Sequence, residues 1–456
     1  MKNMTLGHIA EICGGTYVGK EADREKEVTA VTTDSRKAEP GSLFAAIKGE
    51  RVDGHSFIPS VFEKGALGVL SEHELQDAAG NYILVSSTLD ALKAIAEDYL
   101  EQLEIPVVGI TGSVGKTSTK EMVAAVLSQK YRTLKTAGNF NNELGLPLTV
   151  FRLTQEHEIA VLEMGISNFG EMHRLAKIAK PDTCVITNIG QCHLEFLGDR
   201  DGVLRAKTEI FDFLRPDGHI ILNGDDDKLE TVQDVKGIRP VFFGIGKDND
   251  VYADRIEKRG LDGISCRIHT KQGSFTTLIP IPGVHMVLNA LAGTAVGLHY
   301  GLTLDEIRAG IESLQPVSGR FHIIHTENYT IIDDCYNANP VSMKASLEVL
   351  QDGLGRKVAI LGDMAELGAD EEQLHYGVGE FAGGLDLDCC ICVGPLCRHL
   401  ADGIQSVNGQ MEVHCTEHLQ DLLKQLDRLV KRGDTVLVKA SHCMHFEKIV
   451  GKLTDM

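Results

Sequence analysis

Residues 105–127 read IPVVGITGSVGKTSTKEMVAAVL, and this stretch decides the fold of the middle of the chain. An apolar run typical of a buried strand comes first, and a glycine-containing turn follows it. The turn leads into a segment that carries Met122, Val123, Val126 and Leu127 at the spacing of an amphipathic helix. A strand, a glycine-rich turn and a helix in this order predict a phosphate-binding loop.

The turn itself has the form T-G-x-x-G-K-T, from Thr111 to Thr117. Glycines let backbone N–H groups surround phosphate oxygens, and the helix that follows adds the positive end of its dipole. Lys116 would place a positive charge at the β- and γ-phosphates, and the Thr117 hydroxyl could ligate Mg²⁺. The longer eight-residue form is not met because Ile110 stands where it needs glycine, and a chance Gly-Lys-Thr turn is the alternative. The predicted ATP-binding residues of this loop are Thr111, Gly112, Ser113, Val114, Gly115, Lys116, Thr117 and Ser118.

The chain has 456 residues and a formal net charge of −20. This length predicts two or three domains, because one compact core rarely grows so large. The charge would repel a polyanion, so we expect no binding to nucleic acid. No apolar run approaches the roughly 18 residues that span a bilayer, so we expect no membrane insertion. The first residues lack the features of a signal peptide, and the eleven cysteines do not form a disulfide scaffold, so we expect a cytoplasmic protein.

Three blocks of alternating strand-like and helix-like segments follow one another. Residues 1–86 contain short apolar runs between turn-rich polar stretches, which predicts a small α/β domain. Residues 87–314 alternate strands and helices around the phosphate loop, which predicts a mostly parallel sheet covered by helices. Residues 315–456 alternate again, with strands expected at 330–333 and 435–439, which predicts a second, Rossmann-like α/β unit.

Polar residues stand where the strands of the central block end. Glu163 ends one strand, Asn188 ends another, and His193 follows in the next loop. The carboxyl ends of parallel strands share one edge of a sheet, and Mg²⁺ prefers oxygen ligands, so Glu163 suits a metal site. A capping carboxylate and a satisfied loop histidine are the alternatives for Glu163 and His193. Lys207 starts an amphipathic helix, and its spacing alone indicates only a solvated or ion-paired lysine.

Taken together, several stretches resemble the Mur ligase family, and the resemblance runs the length of the chain. The family as a whole is resembled by TGSVGKTSTKEM (111–122), GNFNNELGLP (138–147), LEMGISNFGE (162–171) and ITNIGQCHLEFLG (186–198). The pieces YNANP (336–340) and GDMAELG (362–368) resemble the branch that adds D-alanyl-D-alanine. The Asp-Asn-Pro-Arg motif of the diaminopimelate-adding branch is absent from the sequence.

The resemblance implies a three-domain, ATP-dependent amide ligase that is a monomer. It implies that the γ-phosphate of ATP passes to the terminal carboxylate of UDP-N-acetylmuramoyl-tripeptide. The amine of D-alanyl-D-alanine would then displace phosphate from the acyl phosphate. The implied cofactors are two Mg²⁺ ions and a CO₂-derived carbamate on a lysine. This chemistry needs charge neutralisation and alignment more than a protein nucleophile.

The resemblance also implies roles for single residues. The catalytic set is Lys116, Glu163, His193 and Lys207, with Thr117 and Glu163 at one magnesium, His193 at the second, and Lys207 a ligand as its carbamate. Nucleotide contacts outside the loop fall to Asn289, Arg320 and Asp334, and the UDP substrate to Ser35, Arg36, Phe44, Asn139 and Asn142. Asn337 and Asn339 are expected to face the dipeptide.

One departure from the family pattern lies near the C-terminus. Many members have Lys-Gly-Ser-Arg there, whereas this chain has Lys439-Ala440-Ser441-His442, and an imidazole does not reproduce a bidentate guanidinium. Two other functions stay open. One is a different amide ligase, such as a folylpolyglutamate synthetase or another Mur ligase. The other is a P-loop switch that hydrolyses nucleotide slowly and lacks an acceptor site.

Overall fold

The structure, a computed structural model, describes residues 1–49, 52–76 and 79–456. Three β-sheets follow one another along the chain and each is flanked by helices, so the predicted three-domain α/β architecture is confirmed. No helix in these residues is long and apolar enough to cross a bilayer. The helices are α1 (Leu6–Ile12), α2 (Glu21–Arg24), α3 (Ile58–Glu63), α4 (Thr88–Leu103), α5 (Lys116–Leu127), α6 (Gly145–Val150), α7 (Glu171–Ala179), α8 (Leu194–Leu197), α9 (Arg200–Thr208), α10 (His285–His299), α11 (Leu304–Glu312), α12 (Pro340–Leu350), α13 (Glu371–Gly383), α14 (Cys397–Val407), α15 (Leu419–Leu429) and α16 (Glu447–Asp455).

The first sheet is small and mainly parallel. Its strands are β1 (Thr16–Val18), β2 (Val31–Thr32), β3 (Leu43–Ala45), β4 (Gly68–Ser71) and β5 (Asn81–Leu84). They lie in the order β1-β5-β4-β3-β2, and only β1 runs antiparallel to its neighbour. Helix α4 follows this sheet, and the side chain of Ser87 caps it by accepting a hydrogen bond from the N–H of Asp90.

The central sheet has nine strands and carries the phosphate loop. They are β6 (Val107–Thr111), β7 (Thr133–Lys135), β8 (Ile159–Glu163), β9 (Thr183–Ile186), β10 (His219–Asn223), β11 (Val241–Gly244), β12 (Val251–Lys258), β13 (Ile264–Thr270) and β14 (Gly273–Ile279). The order is β14-β13-β12-β11-β10-β9-β6-β8-β7, so β6 lies between β9 and β8. Strands β6 and β8 are buried along their whole length, as parallel strands covered on both faces must be.

Two antiparallel pairings at one end of this sheet were not predicted. Strand β12 pairs with β13 and β13 with β14 in antiparallel register. Buried and partly exposed residues alternate along β13, because one of its faces packs on the core and the other does not. A continuous apolar run predicts a strand buried on both faces, and such a run does not occur in a strand with one open face.

Helix α5, which begins at the phosphate loop, packs tightly against the helices that follow the sheet. A Cβ atom added to Gly310 on α11 would lie 2.5 Å from the Cα of Val126 on α5. Only glycine allows this approach of the two helices. The packing fixes the direction of α5, and therefore where its N-terminus points.

The third sheet has six strands in the order β15-β16-β20-β17-β18-β19. They are β15 (His322–His325), β16 (Thr330–Asp333), β17 (Lys357–Gly362), β18 (Cys389–Val393), β19 (Glu412–Thr416) and β20 (Thr435–Lys439). The strands predicted at 330–333 and 435–439 are confirmed. Strand β15 is antiparallel to β16 and was not predicted, nor was the edge strand β19. Both lie at or near an edge and are only partly buried, so their sequences carry a weaker apolar signal.

Candidate functional site

The phosphate loop connects β6 to α5 and depends on two glycines. Gly112 has φ +149° and Gly115 has φ +83°, conformations that side-chain-bearing residues rarely adopt. A Cβ at Gly112 would also lie 1.9 Å from the Oγ1 of Thr187. The ammonium of Lys116 donates to the carbonyl oxygens of Gly112 (2.8 Å) and Ser113 (3.2 Å), and burial lowers its pKa below that of an ordinary lysine.

Asn188, at the end of the neighbouring β9, holds this loop in shape. Its side-chain oxygen accepts from the N–H of Val114, and its amide nitrogen donates to the carbonyl of the same residue, both at 2.9 Å. Its backbone carbonyl accepts from the N–H of Ser113 at 3.0 Å. Asn188 therefore holds the phosphate loop in place through both its side chain and its backbone.

Glu163 lies at the end of β8, beside the start of α5. Its Oε1 accepts from the hydroxyl of Thr117 (3.2 Å) and from the side-chain amide of Asn141 (2.8 Å). Its Oε2 is buried and has no hydrogen-bond partner among the described residues, and the ammonium of Lys120 lies 3.7 Å away. A buried carboxylate oxygen is costly unless it is paired, so this atom is available to a cation.

Asn141 is a site residue that was not predicted from the sequence. The predictions named Asn139 and Asn142 from the same loop, and the structure gives them other positions. Asn139 is exposed, and Asn142 accepts hydrogen bonds from the N–H groups of Leu144 and Gly145 at the start of α6. Only the tertiary structure tells apart asparagines that stand so close in sequence.

Lys207 is completely buried on α9, and its amine has no hydrogen-bond partner in the described part of the chain. Burial lowers its pKa to about 8, and the positive charge of Lys116 acts in the same direction. The solvated position that helical spacing alone indicated is therefore wrong. A buried amine with a depressed pKa is partly neutral near pH 7–8, and a neutral amine is nucleophilic.

His193 precedes the short helix α8 in a left-handed conformation, with φ +52°. Its Nδ1 lies 2.7 Å from Oε2 of Glu366, a residue of the C-terminal region. This interaction with His193 holds the pKa of Glu366 below its usual value. The sequence did not indicate Glu366 as a partner, because 173 residues separate the two and both are in irregular loops.

Arg320 reaches the phosphate loop from the C-terminal region. Its guanidinium lies over the ring of Tyr336, 4.1 Å from the ring centroid, and donates to the hydroxyl of Thr117 at 3.4 Å. Asp334 is buried, paired with Lys439, and accepts a hydrogen bond from Ser346 at 2.6 Å. The guanidinium of Arg320 thus lies beside the phosphate loop, where it could contact a phosphate. The carboxylate of Asp334 instead contacts residues of its own domain.

The two asparagines of the YNANP segment have different positions. The side chain of Asn339 caps α12: its Oδ1 accepts from the N–H of Ser342 at 2.9 Å, and Ser342 returns a contact to its backbone. Asn337 lines the space between the phosphate loop and the C-terminal region, and its carbonyl accepts from Lys439. The sequence predicted both to face a ligand, but the cap accounts for Asn339 by itself.

Two cavities border the phosphate loop, one at Gly115 and the other at Lys116. The first, of about 500 Å³, lies over Gly115 and is lined by Phe243, Leu288, Asn289, Phe321 and Val341 among others. Asn289 is buried, and its side-chain oxygen accepts from the hydroxyl of Thr119 at 2.8 Å. An apolar cleft with an amide, directly beside a phosphate loop, suits a flat nucleotide base.

The second cavity, of about 520 Å³, has charged and polar walls. It is lined by Lys116, Asn141, Glu163, His193, Arg320 and Asn337 among others. Most of the predicted catalytic residues therefore line one space. The Glu163 carboxylate in this cavity and the hydroxyl of Thr117 beside it fit a magnesium ion, since both are hard oxygen ligands.

Of the residues predicted to hold the UDP end, Ser35, Arg36 and Phe44 lie in the first domain and line neither cavity, whereas Asn142 lines the polar one. Arg36 is exposed and paired with Asp34 at 2.8 Å, which lowers the pKa of Asp34 to about 2. The backbone carbonyl of Ser35 accepts from Lys64 at 2.7 Å. Phe44 is a correction: its side chain is fully buried with Ile58, Val61, Val69 and Tyr82, because it lies on β3, between β4 and β2, and is part of the core. Its ring is not available to a ligand.

Comparison with known proteins agrees with this arrangement. Family models described as the Mur ligase family catalytic domain, the Mur ligase middle domain and the Mur ligase glutamate ligase domain match residues 27–109, 110–297 and 319–442. The UDP-N-acetylmuramoyl-tripeptide–D-alanyl-D-alanine ligase of Bacillus subtilis is 39% identical over 100% of this chain and 99% of its own length. The enzyme of the same name from Escherichia coli is 38% identical over the same shares.

Solved structures give the same result. A crystal structure of MurF from Acinetobacter baumannii superposes with a TM-score of 0.91 at 34% identity, covering 99% of both chains. A MurF ligase from Thermotoga maritima in complex with ADP gives 0.82 at 30% identity, covering 93% of this chain and 97% of its own. With all three domain models and full-length relatives matched, the chain belongs to the Mur ligase family.

Proposed function

We propose that this protein is an ATP-dependent ligase that joins D-alanyl-D-alanine to UDP-N-acetylmuramoyl-tripeptide in the synthesis of peptidoglycan precursors. The observation that carries the proposal is the phosphate loop, which borders an apolar cavity at Gly115 and a polar cavity at Lys116. A ligase must bring a triphosphate and a carboxylate together, whereas a nucleotide switch needs only the first cavity. The name and full-length similarity of the relatives support the choice of substrates.

The proposal divides the work among three domains. Residues 1–86 would bind the UDP end of the tripeptide substrate, residues 87–314 would bind ATP, and residues 315–456 would contribute to ATP and dipeptide binding. Ser35 and Arg36 are the surface residues we assign to the UDP end. These boundaries stay predictions, as do the monomeric state and the cytoplasmic location.

The first chemical step is phosphoryl transfer. A carboxylate oxygen of the tripeptide attacks the γ-phosphorus of ATP, the bond to the β,γ-bridging oxygen breaks, and ADP leaves. The loop N–H groups and Lys116 would hold the β- and γ-phosphates, and Arg320 would meet the charge on the group in transfer. The apolar walls of the first cavity and the amide of Asn289 would hold the adenine.

The second step is amide formation. The amine of the dipeptide attacks the acyl carbon, loses a proton, and phosphate leaves with the oxygen that came from the carboxylate. Asn337 lines both the space at the loop and the polar cavity, so it is placed to orient the dipeptide. Alignment of the amine and the acyl phosphate is the main contribution the protein can make to this step.

We also assign two Mg²⁺ sites. Thr117 and Glu163 would hold one ion, and His193 would ligate the second together with Lys207 as a carbamate. The ions would neutralise negative charge on the phosphates and the acyl oxygens. The carbamate forms when the neutral amine of Lys207 adds to the carbon of CO₂ and releases one proton. The unmodified amine of Lys207 is buried, has no hydrogen-bond partner among the described residues and is partly neutral, and these three properties support the modification.

Phosphate release measured with ATP and UDP-N-acetylmuramoyl-tripeptide, with and without D-alanyl-D-alanine, tests the function. We expect release to depend on both substrates and to match the amide formed. Release that ignores the dipeptide would refute the ligase. Another amide ligase would instead respond to a different acceptor amine.

A further inference from the structure

His193 and Glu366 meet across the boundary between the central and C-terminal regions. Both have left-handed backbones, with φ +52° and +60°. Non-glycine residues adopt this conformation at a cost, and they keep it where the surrounding structure holds them. Two such residues in contact indicate that the geometry of the pair is maintained by the fold.

The loop that carries Glu366 is fixed by its own domain. The N–H of Met364 donates to Nε2 of the buried His375 at 2.9 Å, and the N–H of Ala365 donates to the hydroxyl of Ser441 at 2.8 Å. These bonds are made by the two residues directly before Glu366. Its carboxylate is therefore presented from a rigid support, although the side chain itself is half-exposed.

The contact favours one nitrogen of His193 as the free one. Oε2 of Glu366 lies 2.7 Å from Nδ1, which is an ion-pair distance, although the two atoms do not have hydrogen-bond geometry in this structure. The negative charge of the carboxylate stabilises the tautomer with the proton on Nδ1, and the lone pair of the neutral imidazole is then on Nε2. Histidines that ligate metals commonly turn their other N–H toward a carboxylate.

We propose that Glu366 is a positioning residue for His193: its carboxylate keeps the proton on Nδ1, orients the ring, and leaves Nε2 to a divalent cation in the polar cavity. Glu366 belongs to the C-terminal region and His193 to the central one. The cation site is therefore completed only when these two regions are in contact. The inference rests on the proposed function, and in particular on the second metal site.

The test uses Mn²⁺ as the probe. Mn²⁺ would be titrated into the full-length enzyme with a non-hydrolysable ATP analogue, and bound ions counted by electron paramagnetic resonance. We expect two ions in the wild type. Glu366→Ala should weaken one of them by about 10- to 100-fold and leave the other unchanged. Glu366→Gln keeps an oxygen acceptor and should cause a smaller loss of Mn²⁺ affinity. If Glu366→Ala folds poorly, the affinity of Glu366→Gln is the test of the proposal.

Two comparisons separate positioning from a general effect of charge. Glu195→Ala removes an exposed carboxylate two residues after His193 and should leave both ions bound as in the wild type. His193→Ala should weaken the same ion as Glu366→Ala, and the double variant should be no weaker than His193→Ala alone, because one residue acts through the other.

The inference is overturned by wild-type Mn²⁺ binding in Glu366→Ala, or by a Glu366→Ala loss that persists in full without His193. A wild-type enzyme that releases phosphate with both substrates and binds one ion would also overturn it, while the ligase function would stand. A wild type that binds two ions and forms no amide would instead refute the proposed function.

Discussion

The two cavities beside the phosphate loop have similar volumes and opposite linings. The first is walled by apolar side chains, among them Leu288, Phe321 and Val341, and is suited to a base that must be recognised without reacting. The second gathers Glu163 and His193 around Lys116. Apolar walls mark the side that only binds, and charged side chains mark the side where chemistry takes place.

Lys116 lines the polar cavity and belongs to the phosphate loop that borders both cavities, so its removal should have the largest effect. We expect Lys116→Ala to lower kcat by about a thousandfold or more, because a charge that stabilises the group in transfer is lost. Steady-state phosphate release measures it, and circular dichroism should show an unchanged fold. Lys247→Ala, far from the site in sequence, serves as a control that loses the same charge. Activity near the wild-type level in Lys116→Ala would contradict the account.

We assign Lys207 to the reactive side as a carbamate, and we expect the next largest effect there. Lys207→Ala should cut kcat severely, and removal of CO₂ from wild-type enzyme should lower activity in a way that bicarbonate restores. The pKa near 8 sets the pH dependence, because only the neutral amine reacts with CO₂. The neutral fraction is about half at pH 8 and roughly fifteenfold lower at pH 6.5, so recovery should be slower at the lower pH.

The contradictory outcome is equally specific. Active enzyme whose mass shows an unmodified Lys207, with no response to CO₂, would remove the carbamate from the account. The ligase function and the role of Lys116 would not depend on that result.

Asn289 belongs to the binding side, so its loss should change affinity more than rate. Asn289→Ala removes a buried amide in the apolar cavity, and we expect about a tenfold rise in KM for ATP with a small change in kcat. Thr119→Val removes only the hydroxyl that donates to Asn289 and should have a weaker effect of the same kind. A loss confined to kcat would place Asn289 with the reacting groups instead.

The smallest effect is expected at Asn339. Loss of its helix cap in Asn339→Ala should lower the free energy of unfolding by about 1 kcal/mol, measured by urea denaturation. Asn337→Ala should instead raise KM for D-alanyl-D-alanine, since Asn337 lines the reactive side and caps no helix. A larger rise in that KM for Asn339→Ala than for Asn337→Ala would reverse the assignment.

Local sequence predicted the parts of the molecule that local interactions determine. The loop at 111–117 is recognisable because strand, glycines and helix are contiguous, and apolar runs predicted the buried strands β6 and β8. Strands β12 to β14, which each have one exposed face, were not predicted. Their pattern of apolar and polar residues depends on which face the rest of the chain covers.

Side-chain direction and burial were the harder part of the site. The family resemblance singled out Lys207, but only the structure shows an amine without partners. The resemblance predicts Phe44 as a ligand contact, whereas the structure shows a core residue of β3. Asn141 and Glu366 escaped notice because each acts through a residue distant in sequence, and no spacing rule connects them.

The central claim is that the γ-phosphate passes to a carboxylate in the polar cavity. It is tested most directly with tripeptide substrate labelled with ¹⁸O in its terminal carboxylate. We predict that each phosphate released during amide formation carries one labelled oxygen, transferred from the acyl phosphate. Unlabelled phosphate, with an oxygen derived from water instead, would contradict the account.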